Sequence, residues 1–302
     1  MQSEPFLELL EIASSELYEG KLIRGEISFA RAKTYLQKVL NVRIAALGEN
    51  HPDTGASYNS LGNAYRSKGE YDKAIEYYNK DLQISLIALG EDDPDTGTSY
   101  NNLGCAYDSK GEYDKAIEHC KKGLQIKLAV LGKDHPETGN IYDSIGSACD
   151  KKGEYDTAIE YHHKALQIRL AALGEDHPDT GASYNNLGLA YSSKGEYDKA
   201  IEFCSKALQI RLSALGKNHP DTGASNKNLG LAYNSKGEYD KAIEHYNKAL
   251  QVYRSSLGEM HPDTLRCVSA IEAATTAMTT GTLTTVAATV PATVAQRCCV
   301  IS

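Results

Sequence analysis

Residues 177–218 read HPDTGASYNNLGLAYSSKGEYDKAIEFCSKALQIRLSALGKN. Tyr184, Leu187, Gly188 and Tyr191 stand at i, i+3, i+4 and i+7, the stripe of an amphipathic helix. Tyr197, Ala200, Ile201, Cys204, Leu208 and Leu215 make a second stripe, with Glu196, Asp198, Lys199 and Glu202 on its wet side. Gly195 lies between the two and permits the positive φ that ends the first helix. The stretch therefore predicts two helices joined by a tight turn.

The same pattern recurs every 42 residues. His51, His177, His219 and His261 open HPDT, His135 opens HPET and Asp93 opens DPDT. GEYD returns at Gly69, Gly111, Gly153, Gly195 and Gly237. Five complete units follow, 55–96, 97–138, 139–180, 181–222 and 223–264. A fixed period of this length signals a stacked array, because one helix pair cannot bury its own apolar stripe.

Each HPD marks a helix start. Proline suits the first helical position, the acid favours the positive end of the dipole, and the preceding histidine is pushed out of helical geometry into the N-cap. Asp93, a preferred capping residue, stands in the same place. A shared metal ion is not expected, since stacked helices would hold these histidines about 10 Å apart. Gly48, Gly90, Gly132, Gly174, Gly216 and Gly258 close the second helices.

The spacing of Tyr184, Leu187, Gly188, Tyr191, Ala200 and Ala207 resembles the tetratricopeptide repeat. Eight residues beyond that family's usual 34, with NNLG in the first helix and ALQIRLAALGEDHPDT in the second, make the unit similar to the kinesin light chain repeat. The resemblance covers roughly residues 30–275 and implies an all-α superhelical solenoid of antiparallel helix pairs. Residues 1–54 are expected to be a divergent repeat, with a first helix near 4–19 and a second in Tyr35–Gly48. Residues 55–264 are the five repeats, 265–278 a C-terminal capping helix and 279–302 a disordered tail rich in Thr, Ala and Val. Kinesin light chains carry a long coiled coil ahead of their repeats for the motor heavy chain. No sustained heptad pattern precedes residue 55, so that partner is not expected.

In this family the first helices line a concave groove that takes peptide segments of partner proteins. The positions carried over by the resemblance include Asn59, Asn63, Asn101, Asn102, Asn185, Asn186, Lys227 and Asn228. Asparagine offers both donor and acceptor, so a row of them suits the backbone of an extended peptide. Asparagine is also a mediocre helix former, and a merely solvated face would more often carry Glu, Lys or Arg. Further along stand Arg66, Asp108, Asp150 beside Lys151, Ser192 and Asn234, of mixed sign, so no ligand charge follows. Two copies depart from the pattern. Asp81 replaces the small residues Gly123, Ala165, Ala207 and Ala249, and is expected to lean to solvent or meet a lysine. Asn226 replaces Tyr58, Tyr100, Tyr142 and Tyr184 and predicts a local dent.

A net charge of −8 argues against a nucleic-acid surface. The seven cysteines form no CxxC pair, and Cys105, Cys120, Cys149, Cys204 and Cys267 fall at packing positions of helices. No P-loop, GxSxG or HExxH is present, so neither catalysis nor a cofactor or metal is expected. Glu4, Glu8, Glu11 and Glu16 break the N-terminal segment as a secretory signal, which leaves the reducing cytosol as the expected compartment. Residues 279–296 lack charge but are interrupted by Gly281 and Pro291 and repeated Thr, so they are not expected to span a membrane. The sequence ends Cys298-Cys299-Val300-Ile301-Ser302. Its last four residues fit a prenylation signal of the farnesyl type at Cys299, and Cys298 could take a second acyl chain. The expected protein is a peptide-binding scaffold at the cytoplasmic face of a membrane. A soluble adaptor without lipid, and an enzyme of unrecognised type, stand as alternatives.

Overall fold

In the computed structural model, residues 29–289 are described, with side chains to residue 280. Twelve helices and no strand occur among them: α1 Phe29–Leu47, α2 Pro52–Ser67, α3 Tyr71–Ala88, α4 Pro94–Lys110, α5 Tyr113–Val130, α6 Pro136–Lys152, α7 Tyr155–Leu173, α8 Pro178–Lys194, α9 Tyr197–Leu215, α10 Pro220–Lys236, α11 Tyr239–Ser256 and α12 Pro262–Thr289. They belong to two compact units, Met1–Ala172 and Leu173–Ser302. The all-α paired architecture expected from the period is what the chain adopts. The helix expected near 4–19 lies outside the described residues.

Each first helix begins as the HPD pattern predicts. Asp53 N–H donates to His51 Nδ1 at 3.2 Å and Asp95 N–H to Asp93 Oδ1 at 2.8 Å. His135, His177, His219 and His261 accept in the same way at 3.1–3.2 Å. The imidazole and the carboxylate do one job there, satisfying an amide that has no intrahelical acceptor. At the other end Gly195 turns with φ +87°, where its N–H reaches the Ser192 carbonyl at 3.0 Å. A side chain would make that left-handed conformation costly.

The two helices of a pair meet through glycine. A Cβ on Gly188 would lie 2.4 Å from Cys204 Sγ and 3.2 Å from the Ala200 carbonyl oxygen, so Gly188 and Ala200 sit at the expected crossing. Gly62, Gly104, Gly146 and Gly230 abut Tyr78, Cys120, His162 and Tyr246 at the equivalent contact. Close approach of backbones thus leaves room for one large or medium side chain per pair.

Successive pairs are joined by a contact that sequence reasoning did not foresee. The threonine ending each HPDT-type tetrad is fully buried and bonds back to the preceding connector glycine. Thr54, Thr96 and Thr138 Oγ1 donate to the carbonyls of Gly48, Gly90 and Gly132 at 2.7–2.9 Å. Thr180, Thr222 and Thr264 do so to Gly174, Gly216 and Gly258 at 2.7–2.8 Å. On the outer side Lys110, Lys152 and Lys236 reach Asp72, Asp114 and Asp198 of the preceding copy at 2.8 Å. These pairs are exposed and contribute little each.

The last helix departs from expectation. Cys267 and Ala274 of α12 are buried against Ala249, Tyr253, Ala242 and Tyr246, as a capping helix requires. The helix then continues to Thr289 and so passes the boundary expected at 278. Thr275, Thr276, Thr279 and Thr280 return their hydroxyls to carbonyls one turn back at 2.8–3.1 Å, so these polar groups are satisfied within the helix itself. Cys298 and Cys299 lie outside the described residues.

Candidate peptide-binding face

Within each compact unit the asparagines of neighbouring first helices, α2 with α4 and α8 with α10, are bonded across the pair. Asn102 Nδ2 donates to Asn59 Oδ1 at 2.9 Å, and Asn228 Nδ2 to Asn185 Oδ1 at 2.8 Å. A position in one copy thus meets the following position of the next copy. Asn185 is buried; Asn59, Asn101, Asn102, Asn186 and Asn228 are half-buried. Tyr78 Oη donates to Asn63 Oδ1 at 2.5 Å, and Cys120 Sγ to Asn101 Oδ1 at 3.5 Å. The expected row of open amides is therefore a row of partly engaged ones. Each carbonyl oxygen has two lone pairs and each amide nitrogen two N–H groups, so the pairs retain capacity for a ligand.

Charges on this face are likewise paired. Lys151 Nζ lies 2.5 Å from Asp108 Oδ2, which neutralises two of the mixed-sign positions against each other. Lys227 Nζ lies 3.3 Å from Asp263 Oδ1 and 6.0 Å from the centre of the Tyr253 ring. It is tied to the neighbouring helices and does not stand alone in the row. In the third copy Asp143 takes the asparagine place. Its carboxylate accepts from His162 Nδ1 at 2.7 Å and pairs with Arg169 Nη1. Burial pushes that carboxyl up, but the His162 hydrogen bond and the Arg169 charge outweigh it and hold it below the ordinary carboxylate range. Reading positions 143, 162 and 169 together, at the register of 101, 120 and 127, was the signal available in the sequence.

Asp81 corrects an expectation. It neither leans to solvent nor meets a lysine but is buried on α3, where Ser99 Oγ donates to its Oδ2 at 2.7 Å. Desolvation pushes its carboxyl up to about 6. The position faces α4, whose Ser99 meets the carboxylate and keeps it from solvent. Asn226 is buried too, donating to the Thr222 carbonyl at 3.1 Å and facing His245 Nδ1 at 3.1 Å. Tyr58, Tyr100 and Tyr184 stack on Tyr77, His119 and Phe203 with ring centres 6.1–6.2 Å apart. The shorter Asn226 leaves a cavity of about 490 Å³ bordered by Leu208, Leu212, Lys248 and Val252. The predicted dent is real.

The cysteines divide. Cys120, Cys149, Cys204 and Cys267 are buried, and desolvation pushes Cys149 up to about 11 and Cys204 up to about 12. They are packing residues, inert as thiolates. Cys105 is half-buried and points its thiol at Ser144 Oγ, 3.6 Å away. Among the described residues no group of three His, Cys, Asp or Glu side chains could hold a metal ion. No helix among them is long and apolar enough to cross a membrane.

The tetratricopeptide repeat family matches residues 28–86, 70–129, 109–168, 151–203, 187–255 and 224–271 in overlapping succession. The chain belongs to the tetratricopeptide repeat family. A crystal structure of nearly identical tetratricopeptide-like repeats from a Podosopora anserina putative kinesin light chain is 24% identical, with a TM-score of 0.57 over 68% of this chain and 98% of that one. BtubC (BKLC) from P. vanneervenii is 23% identical, with a TM-score of 0.63 over 78% of this chain and 94% of that one. At these identities the likeness is one of fold. No curated protein matches the chain. As a tetratricopeptide protein it has the scaffold of an interaction module, and its structural neighbours include kinesin light chain-like repeats.

Proposed function

We propose that this tetratricopeptide chain is a non-catalytic scaffold that binds extended peptide segments of partner proteins along the asparagine-bearing face of its first helices. The observation that supports this most is the pairing of Asn59 with Asn102 and of Asn185 with Asn228. Mutual bonding fixes the side-chain rotamers before a ligand arrives, which lowers the entropy lost on binding. Each paired amide keeps at least one donor and one acceptor site, which matches the pattern a peptide backbone presents.

The test uses peptides selected from a random display library against the wild-type protein. Replacing Asn101, Asn102, Asn185 and Asn186 by alanine should weaken their affinity at least tenfold, since each lost bond contributes about 0.5–1.5 kcal/mol. Helicity should be unchanged. Undiminished affinity in the quadruple variant overturns the reading and moves peptide binding off this face.

We propose further that Cys299 is prenylated and Cys298 acylated, which places the scaffold at a cytoplasmic membrane face. The Cys299-Val300-Ile301-Ser302 string supports this. One lipid chain holds only marginally, so Cys298→Ser should give a protein that exchanges on and off membranes, and Cys299→Ser one that is wholly soluble. Cell fractionation with mass analysis of the C-terminal peptide decides it. A wild-type peptide of unmodified mass sinks the lipid proposal and leaves the scaffold.

A further inference from the structure

Arg43, Lys127 and Arg211 each cross from one helix pair to the next, and the equivalent place between α3 and α4 holds only a serine. Counting in steps of 42 residues, position 85 is equivalent to Arg43, Lys127, Arg169, Arg211 and Tyr253. Arg43 Nη1 runs from α1 to α2 and donates to the Asp53 carbonyl at 2.9 Å and to Ser57 Oγ at 2.8 Å. Arg211 repeats this from α9 to α10, reaching the Asp221 carbonyl at 3.1 Å and Ser225 Oγ at 3.0 Å. Lys127 on α5 pairs with Glu137 at the start of α6, whereas Arg169 on α7 turns back to Asp143 and, at 3.0 Å, to Asn140 Oδ1 on α6 of its own copy. At the last joint Tyr253 fills the place, 3% exposed. The long basic or aromatic side chain is thus the rule at this position.

Ser85 breaks it. Its hydroxyl reaches only as far as Ser99 Oγ, 3.2 Å away, and a cavity of about 230 Å³ occupies the place. Asp81, Ser85, Asp95 and Ser99 line it, and it borders Asn59 and Asn102 of the asparagine face. Pro52, Ala56 and Leu89 give it an apolar wall. Ser99 is the equivalent of Ser57 and Ser225, the hydroxyls that hold the internal arginines, and Asp95 is the equivalent of Asp53 and Asp221. One turn before Ser85 on the same helix, Asp81 replaces Val39, Gly123, Ala165, Ala207 and Ala249. The same joint has therefore lost a positive charge and gained a negative one, and the gained carboxylate is buried with a single hydroxyl for a partner in place of a cation.

We propose that this cavity receives the guanidinium of an arginine side chain from a bound peptide, which takes the place held elsewhere in the array by the chain's own arginines. The proposal rests on the peptide-binding reading of the neighbouring asparagines and names a residue the ligand should carry. Two sister joints show the acceptor geometry accommodating a planar guanidinium, shared between a backbone carbonyl and a serine hydroxyl. Asp81 adds the charge that such a fork pairs with best. The apolar wall suits the three methylenes that carry it. A phosphate or an acidic side chain would face Asp81 and Asp95 with like charge and is excluded by the same lining.

The test begins with small probes, followed by nuclear magnetic resonance of the full chain: N-acetyl-argininamide, its lysine analogue and its citrulline analogue, which has the shape of arginine without the charge. Only the arginine probe should saturate shifts in residues 81–99, with the citrulline probe at least tenfold weaker. Asp81→Asn should abolish that preference, and Ser85→Arg should block the cavity while keeping the fold, as Arg43 and Arg211 do in their own joints. Library peptides selected on wild type should carry arginine, and those selected on Ser85→Arg should not. The Asn185→Ala, Asn186→Ala double variant separates the two readings, because it should lose peptides and keep the probe. Probe binding with no peptide binding in wild type sinks the asparagine-face reading alone. Peptide binding without arginine enrichment, together with probes that do not distinguish wild type from Ser85→Arg, overturns the cavity proposal alone.

Discussion

Gly188→Leu is expected to destabilise residues of the second unit by about 3 kcal/mol, at the upper end of ordinary overpacking. The first added atom already lies 2.4 Å from Cys204 Sγ, 3.1 Å from Cys204 N and 3.2 Å from the Ala200 carbonyl oxygen. A sulfur can swing away, but two backbone atoms of a packed helix cannot, so α8 and α9 must separate. Hydrogen exchange should report the loss as reduced protection in both helices, with a lower denaturation midpoint for the chain. Gly188→Ala combined with Cys204→Ala removes the sulfur clash and should recover a large part of the loss. An unchanged midpoint for Gly188→Leu would mean that the helices do not cross at this glycine.

Asp81→Asn should act in the opposite direction and depend on pH. The folded carboxyl titrates at about 6 against an ordinary value of 3.8, raised by desolvation and further by Asp95, with the Ser99 hydrogen bond only partly offsetting them. As pH rises between these values the unfolded chain gives up this proton first, so the folded state holds more protons and loses stability. The penalty is complete above about pH 6 and absent below about pH 4. Removing the charge should therefore stabilise the protein by about 2 kcal/mol near pH 8, and the gain should disappear on acidification. Denaturant midpoints of wild type and variant at a series of pH values check this, and a pH-independent difference would place Asp81 in solvent. Asp143, on the same kind of surface, contributes with the reverse sign, because His162 and Arg169 hold its carboxyl below the usual range. Its stabilisation is lost as pH falls.

Helix ends, turn glycines and the glycine crossing were legible because each is a local rule written five or six times over. His51 and Asp93 differ chemically yet stand at one register position, so the shared function of capping could be inferred from the pair. The asparagine bonds were not legible. Asn59 and Asn102 are 43 residues apart, and only the stacking offset between copies brings a position opposite its successor's neighbour. Asp81 was misread because it was compared with its equivalents one column at a time. Ser85 lies four residues on, directly beside it along the helix, and the joint loss of a base and gain of an acid is visible only when both columns are read. The buried threonines escaped because a threonine in a capping tetrad already has an adequate local explanation. The tail was judged by its composition, whereas threonine hydroxyls turned back onto their own helix make that composition compatible with α12.

Because Thr54, Thr96, Thr138, Thr180, Thr222 and Thr264 all latch onto a connector glycine at 2.7–2.9 Å, every copy offers the next an identical coupling. A gene encoding such an array can lose or gain whole 42-residue cassettes by unequal recombination and still produce matching ends. Removing residues 52–93 would set α1 directly before α4, bringing Arg43 to the register that Ser85 now holds against Ser99. The shortened array would close its own joint with an internal arginine. Selection for a ligand that enters beside Asp81 would therefore act on the single cassette that carries it.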